Sequence, residues 1–189
     1  PLLWLALRAF GVSSLSLGPN PVEALLHGLG LWALRLLLLT LTVTPLRRVS
    51  GWNVLIRFRR MLGLYAFFYA SLHFSSYLFL DLGAFWSQLL TDIVKRPYIT
   101  VGFAALLLLV PLAVTSTDRW MRRLGRRWHS LHKLVYVAAL LGSLHFLWLV
   151  KKDLTEPLIF GAMLALLLAL RLPWGVALLQ AVRRRLASG

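Results

Sequence analysis

The chain has 189 residues, 59% of them hydrophobic and 14% charged, with a mean hydropathy of +0.76 and a formal net charge of +15. So apolar a composition excludes a disordered chain and exceeds what the interior of a soluble domain of this size can hide. It also separates the positive charge from nucleic-acid binding and assigns it to the loops of an integral membrane protein.

A helix crossing a bilayer needs about 20 mostly apolar residues. Six segments approach that length in chain order, and together they predict an all-α bundle of six transmembrane helices forming a single domain over residues 1–189. The first, 1–17, is short; residue 1 is Pro, and the segment reads as the outer half of a helix whose beginning precedes it. The second, 29–46, follows the break Gly-Pro-Asn-Pro at 18–21. The third is 61–80, the fourth 98–114 after Pro97, the fifth 128–150, and the sixth 157–174, apolar except for Arg171. Residues 175–189 read as a tail. The runs are long and bounded by charge, which argues against strands. The sequence shows no internal repeat.

Charge placement predicts orientation. Segments 46–60, 115–127 and the tail hold 13 basic residues and one acid, Asp118. Segments 18–28, 81–97 and 151–156 hold four basic and five acidic residues. The positive-inside rule makes the first side cytoplasmic and puts both termini there. The arginine clusters read as topology anchors at lipid headgroups, or as a docking face for a cytoplasmic redox partner. Between the third and fourth spans, Phe85, Trp86, Leu89, Leu90 and Ile93 recur at helical spacing, which predicts a short amphipathic helix at the outer interface, either a lid or a docking surface.

The absence of cysteine removes disulfides, cysteine-bound clusters and thioether-linked haem. Five histidines remain. A polar group within a membrane needs a partner and is usually functional. At about 1.5 Å per residue, His73 lies about 18 Å from the inner boundary of its span, His145 about 25 Å and His132 about 6 Å. His73 therefore matches His145 in depth better than His132. Two neutral imidazoles from different helices at one depth suit the axial positions of a haem iron; they also suit hydrogen-bonded core residues. His132 and His145, 13 residues apart, would stack haems near the two faces, but an ideal helix turns them roughly 220° apart. A second haem thus requires a helix distortion, for instance near Gly142, or two differently placed haems. His129 reads as interfacial, and His27 stands at the outer start of the second span. Arg35, inside that span, either snorkels, neutralises a haem propionate, or binds a quinone headgroup or a flavin phosphate.

Several stretches together resemble a known family: TVTPLRR at 42–48, IRFRRMLGLYAFFYASLHFSSY at 56–77, KRPYITVGF at 95–103, TSTDRWMRRLGRRWHSLHKLVY at 115–136 and HFLWLVK at 145–151. They are similar, in order, to the MsrQ (YedZ) family of haem-binding membrane subunits, and more widely to ferric reductase-like transmembrane domains. The resemblance implies six helices and b-type haem, one or two per chain, in the bacterial inner membrane. It implies electron transfer from the quinone pool or a cytoplasmic flavin reductase to a periplasmic molybdenum-cofactor methionine-sulfoxide reductase, MsrP, with FMN as a further cofactor. His73, His132 and His145 fall on the family's candidate haem-ligand positions. His27 and Arg35 fall where the family places a His and a basic residue. Two-haem oxidases carry another His early in the third span, where this chain has Arg59, Arg60 and Met61. The residues leave two other classes open: a different ferric reductase-like or cytochrome b subunit, and a haem-free permease or scaffold.

Overall fold

The computed structural model describes residues 19–83 and 85–188, with side chains described to 185; the first expected span, 1–17, lies outside the described residues. Every regular element among the described residues is helical.

Helix α1 (Pro21–Ser50) starts where sequence chemistry says it should. The Asn20 side chain accepts from the Glu23 backbone N–H and donates to the Glu23 carboxylate, and Pro21 occupies the first turn. It stops at Gly51, whose φ of 75° closes the last turn with a bond to the Arg47 carbonyl. Helix α2 (Leu55–Ser76) runs directly into a π-helical turn, Tyr77–Asp81. The amphipathic segment forms α3 (Trp86–Lys95), which buries Leu89 and Asp92 and exposes Trp86, Leu90 and Val94. Then come α4 (Pro97–Val114), α5 (Asp118–Leu124) capped by Thr117, and α6 (Arg126–Leu131). Helices α7 (Leu134–Leu149), α8 (Thr155–Ala169) and α9 (Pro173–Ser188) complete the chain.

Helices α1, α4 and the α6–α7 run (Arg126–Leu149) are long and apolar enough to cross a membrane; α8 and α9 together make a fourth candidate bent by 83°. Helix α2 has the length but opens on Arg57, Arg59 and Arg60, which lowers its hydropathy below that of the others. Two expected spans differ from single straight helices. Segment 128–150 is interrupted at His132–Lys133, not near Gly142. Segment 157–174 ends as a helix at Ala169, and Arg171 sits in the bend. The tail is not loose chain: it forms α9, turned across the end of the bundle and packed on α1. Gly175 permits that bend, because a β-carbon there would lie 2.5 Å from the Ala169 carbonyl oxygen.

The core joins α1, α2, α4, α7 and α8 through Leu38, Leu41, Ala66, Leu109, Ala138, Ala139 and Leu164. Ala66, Ala138 and Ala139 are almost fully buried, and such small residues let helices approach closely in lipid. Outward positions are apolar too, including Leu107, Leu140 and Leu166, as a bilayer-facing surface requires. The chain is a membrane protein of apolar helices.

Pro45 inside α1 has no N–H for the carbonyl of Leu41 one turn earlier. Arg171 fills the gap: its Nη2 donates to Leu41 O at 2.7 Å and its Nη1 to the Tyr136 hydroxyl at 3.0 Å. The defect in α1 thereby fastens the bend after α8 to α1 and α7.

Candidate functional site

Two helix pairs, α1 with α2 and α4 with α7, face each other across a cavity of about 390 Å³. Gly30, Ala66, Ala70, Gly102, Ala105, Ala138 and Gly142 line it, and their missing side-chain volume makes the space. Its mouth is polar, with Asn20, Glu23, His27, Asp81 and Arg96.

His73 and His145 both line this cavity, from opposite pairs, with ring centres 6.1 Å apart and planes at 74°. Each ring is held in the same way. His73 Nδ1 lies 2.9 Å from the Leu26 carbonyl and His145 Nδ1 2.7 Å from the Tyr98 carbonyl; each carbonyl stands 47 residues before its histidine. A carbonyl only accepts, so both Nδ1 atoms carry the proton and each Nε2 keeps its lone pair. Each ring also packs on a glycine one turn after its carbonyl. A β-carbon at Gly30 would sit 3.2 Å from His73 Nδ1, and one at Gly102 would sit 2.6 Å from His145 Nδ1. The helix pairs thus repeat one device that the sequence does not display as a repeat.

Among the described residues no group of three or more His, Cys, Asp or Glu could enclose a metal ion. The site offers two imidazole nitrogens and a large apolar cavity. That donor set suits a metal whose other ligands arrive with it in a macrocycle. The two ring centres, 6.1 Å apart, leave room for one metal ion between the imidazoles.

The other expected site residues lie elsewhere or at the edge. His132 sits at the end of α6, stacked on Trp128 at 3.9 Å and 3.0 Å from Thr115 Oγ1. The Thr115 hydroxyl gives its proton to the Pro111 carbonyl at 2.6 Å, so His132 Nε2–H is the donor to Thr115 and is occupied. His132 does not line the cavity. Arg35 does not line it either; its guanidinium lies over Trp32 at 5.3 Å and Phe160 at 6.0 Å. His27 lines the mouth and is exposed.

Three features escaped the sequence reading. Gly30 and Gly102 are one, and equal spacing from their histidines was the available signal. The carbonyls of Leu26 and Tyr98 are another, and backbone acceptors leave no trace in side-chain identity. The third is a cluster beside the mouth: Tyr77 donates to the buried Asp92 at 2.7 Å, and Arg96 Nε lies 3.4 Å from the same carboxylate. The Tyr98 contact, with a smaller contribution from Asp92, holds the Arg96 guanidinium more firmly protonated than usual.

Residues 29–143 match the family model described as the ferric reductase-like transmembrane component. A protein of Xanthomonas campestris pv. campestris named protein-methionine-sulfoxide reductase heme-binding subunit MsrQ is 64% identical over 156 residues, covering 82% of this chain and 72% of that protein. The chain belongs to the MsrQ family. MsrQ proteins of Xanthomonas axonopodis pv. citri and Rhodospirillum rubrum are each 55% identical, over 96% and 98% of this chain and 84% and 85% of their own lengths. No solved structure matches the chain. The ferric reductase-like match includes His73 and ends two residues before His145.

Proposed function

We propose that the chain is the haem-binding, electron-transferring membrane subunit of a methionine-sulfoxide reductase system, in which His73 and His145 would hold one b-type haem. The observation that carries this reading is the pair of rings 6.1 Å apart in one apolar cavity, each with Nδ1 bonded to backbone. Relatives whose names say heme-binding subunit support it.

When bound, haem supplies reversible one-electron chemistry at iron. The chain's residues do the rest. Leu26 and Tyr98 orient the imidazoles and fix the tautomer, which also makes the ligating nitrogen more basic. Gly30 and Gly102 let the rings settle against helix backbone. The apolar lining excludes water, and Arg96 at the mouth offers a cation to the carboxylates of a macrocycle. His132, already donating to Thr115, is assigned to holding α6 on α4.

The same proposal takes the arginine-rich face as cytoplasmic, the membrane as the bacterial inner membrane, and the bundle as six spans. Electrons enter from the quinone pool or a cytoplasmic flavin reductase and leave for a periplasmic MsrP-like molybdoenzyme. The excess of basic residues on one face supports the entry side, since it would steer an acidic donor domain. FMN enters on the resemblance alone.

Purified protein from haem-replete cells tests the reading. A reduced-minus-oxidised spectrum of b type at one haem per chain is expected. A colourless preparation, or full haem retention in a His73→Ala/His145→Ala double variant, overturns it.

A further inference from the structure

The end of the bundle opposite the cavity mouth carries a second cavity, of about 580 Å³. It is lined by Arg47 and Arg48 from the last turn of α1, Asn53 from the following turn, and Gln180, Arg183 and Arg184 from α9. These segments are more than 120 residues apart in sequence, and the 83° bend after α8 brings them together. Arg183 lies against Gly51, where a β-carbon would stand 3.0 Å from its Nη2.

The four guanidiniums have no carboxylate among their lining partners. The chain has six acids, and Asp118, the one acid in its arginine-rich segments, already pairs with Arg60 at 2.6 Å. Arg48 Nη1 is shielded from solvent and has no hydrogen-bond acceptor among the described residues. Arg47 and Arg48 are half-buried and Arg183 and Arg184 exposed, yet all four line one cavity, and Arg48 brings to it an unmet buried donor. Like charges gathered this way repel one another until an anion enters.

We propose that this cavity binds a phosphate group, carried either by an anionic lipid headgroup or by a free phosphate compound. The guanidinium fork matches phosphate oxygens bidentately. A free phosphate or phosphomonoester presents three or more strong acceptor oxygens and up to two charges, and a lipid phosphodiester two such oxygens and one charge, each placed for a guanidinium fork. Asn53 and Gln180 add amide donors beside them.

The test uses the full chain, delipidated in an uncharged detergent at low salt. Phosphatidylglycerol is titrated and followed by native mass spectrometry, and inorganic phosphate is titrated by calorimetry. Saturable binding of phosphatidylglycerol alone assigns a lipid headgroup; saturable binding of inorganic phosphate assigns a free phosphate. In either case an Arg48→Gln/Arg183→Gln variant is expected to bind at least about tenfold more weakly, since two charge-assisted contacts are lost. Arg48→Lys/Arg183→Lys keeps the charge and the fold but loses the fork, and is expected to fall between. An Arg119→Gln/Arg122→Gln variant removes two exposed charges outside the cavity and is expected to change affinity less than about twofold. No saturable binding of either probe overturns the proposal. So does an equal loss in the Arg119/Arg122 variant, or stronger competition by an acidic peptide than by whichever phosphate probe binds.

Discussion

The His145 ring rests on Gly102 so closely that a β-carbon at that position would lie 2.6 Å from Nδ1 and 2.9 Å from Cε1. The ring cannot retreat without leaving the Tyr98 carbonyl, which holds it at 2.7 Å. Gly102 therefore sets the position of one imidazole while the Tyr98 carbonyl sets its tautomer, and Gly30 gives His73 the same seat with more room, at 3.2 Å.

Gly102→Ala is expected to displace His145 and lower haem content severalfold, with an overpacking cost of about 1–3 kcal/mol. Gly30→Ala is expected to do less, because a few tenths of an ångström of ring movement relieves the contact. Haem per chain, measured by pyridine haemochrome on the two purified variants, checks the order.

His132→Ala is expected to keep its haem while lowering the thermal unfolding midpoint in detergent. The lost contacts are a bond to Thr115 and a stacked Trp128, together about 1–2 kcal/mol. Haem loss matching that of His73→Ala would contradict the assignment of His132 to the fold.

Arg171→Leu is expected to destabilise the bundle by about 2–4 kcal/mol, because the Leu41 carbonyl and the Tyr136 hydroxyl both lose a charged donor. Pro45→Ala restores a helical N–H to Leu41 and is expected to reduce the cost of that substitution. A double-mutant cycle on thermal midpoints reads the coupling, and additive effects would show that Pro45 and Arg171 act separately.

Tyr77→Phe leaves the buried Asp92 carboxylate with Arg96 alone and is expected to cost about 1.5–3 kcal/mol locally. The effect should concentrate on α3 and the π-helical turn, read as faster amide exchange in Trp86–Lys95 than in α4. Uniform acceleration across both helices would place the role of Tyr77 in global stability instead.

Much of this was legible without coordinates. Depth along the helix axis follows from counting residues, so His73 and His145 were paired by a rise per residue alone. The amphipathic α3 followed from the spacing of Phe85, Trp86, Leu89, Leu90 and Ile93. Rotation about the axis was harder. The ideal-helix angle between His132 and His145 does not apply, because the backbone breaks at His132–Lys133. Arg35 turns onto Trp32 and Phe160 and does not line the cavity.

By itself the sequence determined the membrane class, the asymmetry of charge and the histidines able to meet, since hydropathy, charge and axial rise are local and additive along the chain. Tertiary structure decided which ring nitrogen is held, which glycines admit the rings, and how Arg171 reaches a carbonyl 130 residues away. Those depend on backbone carbonyls and on helix rotation and bending, which only packing between distant segments can fix.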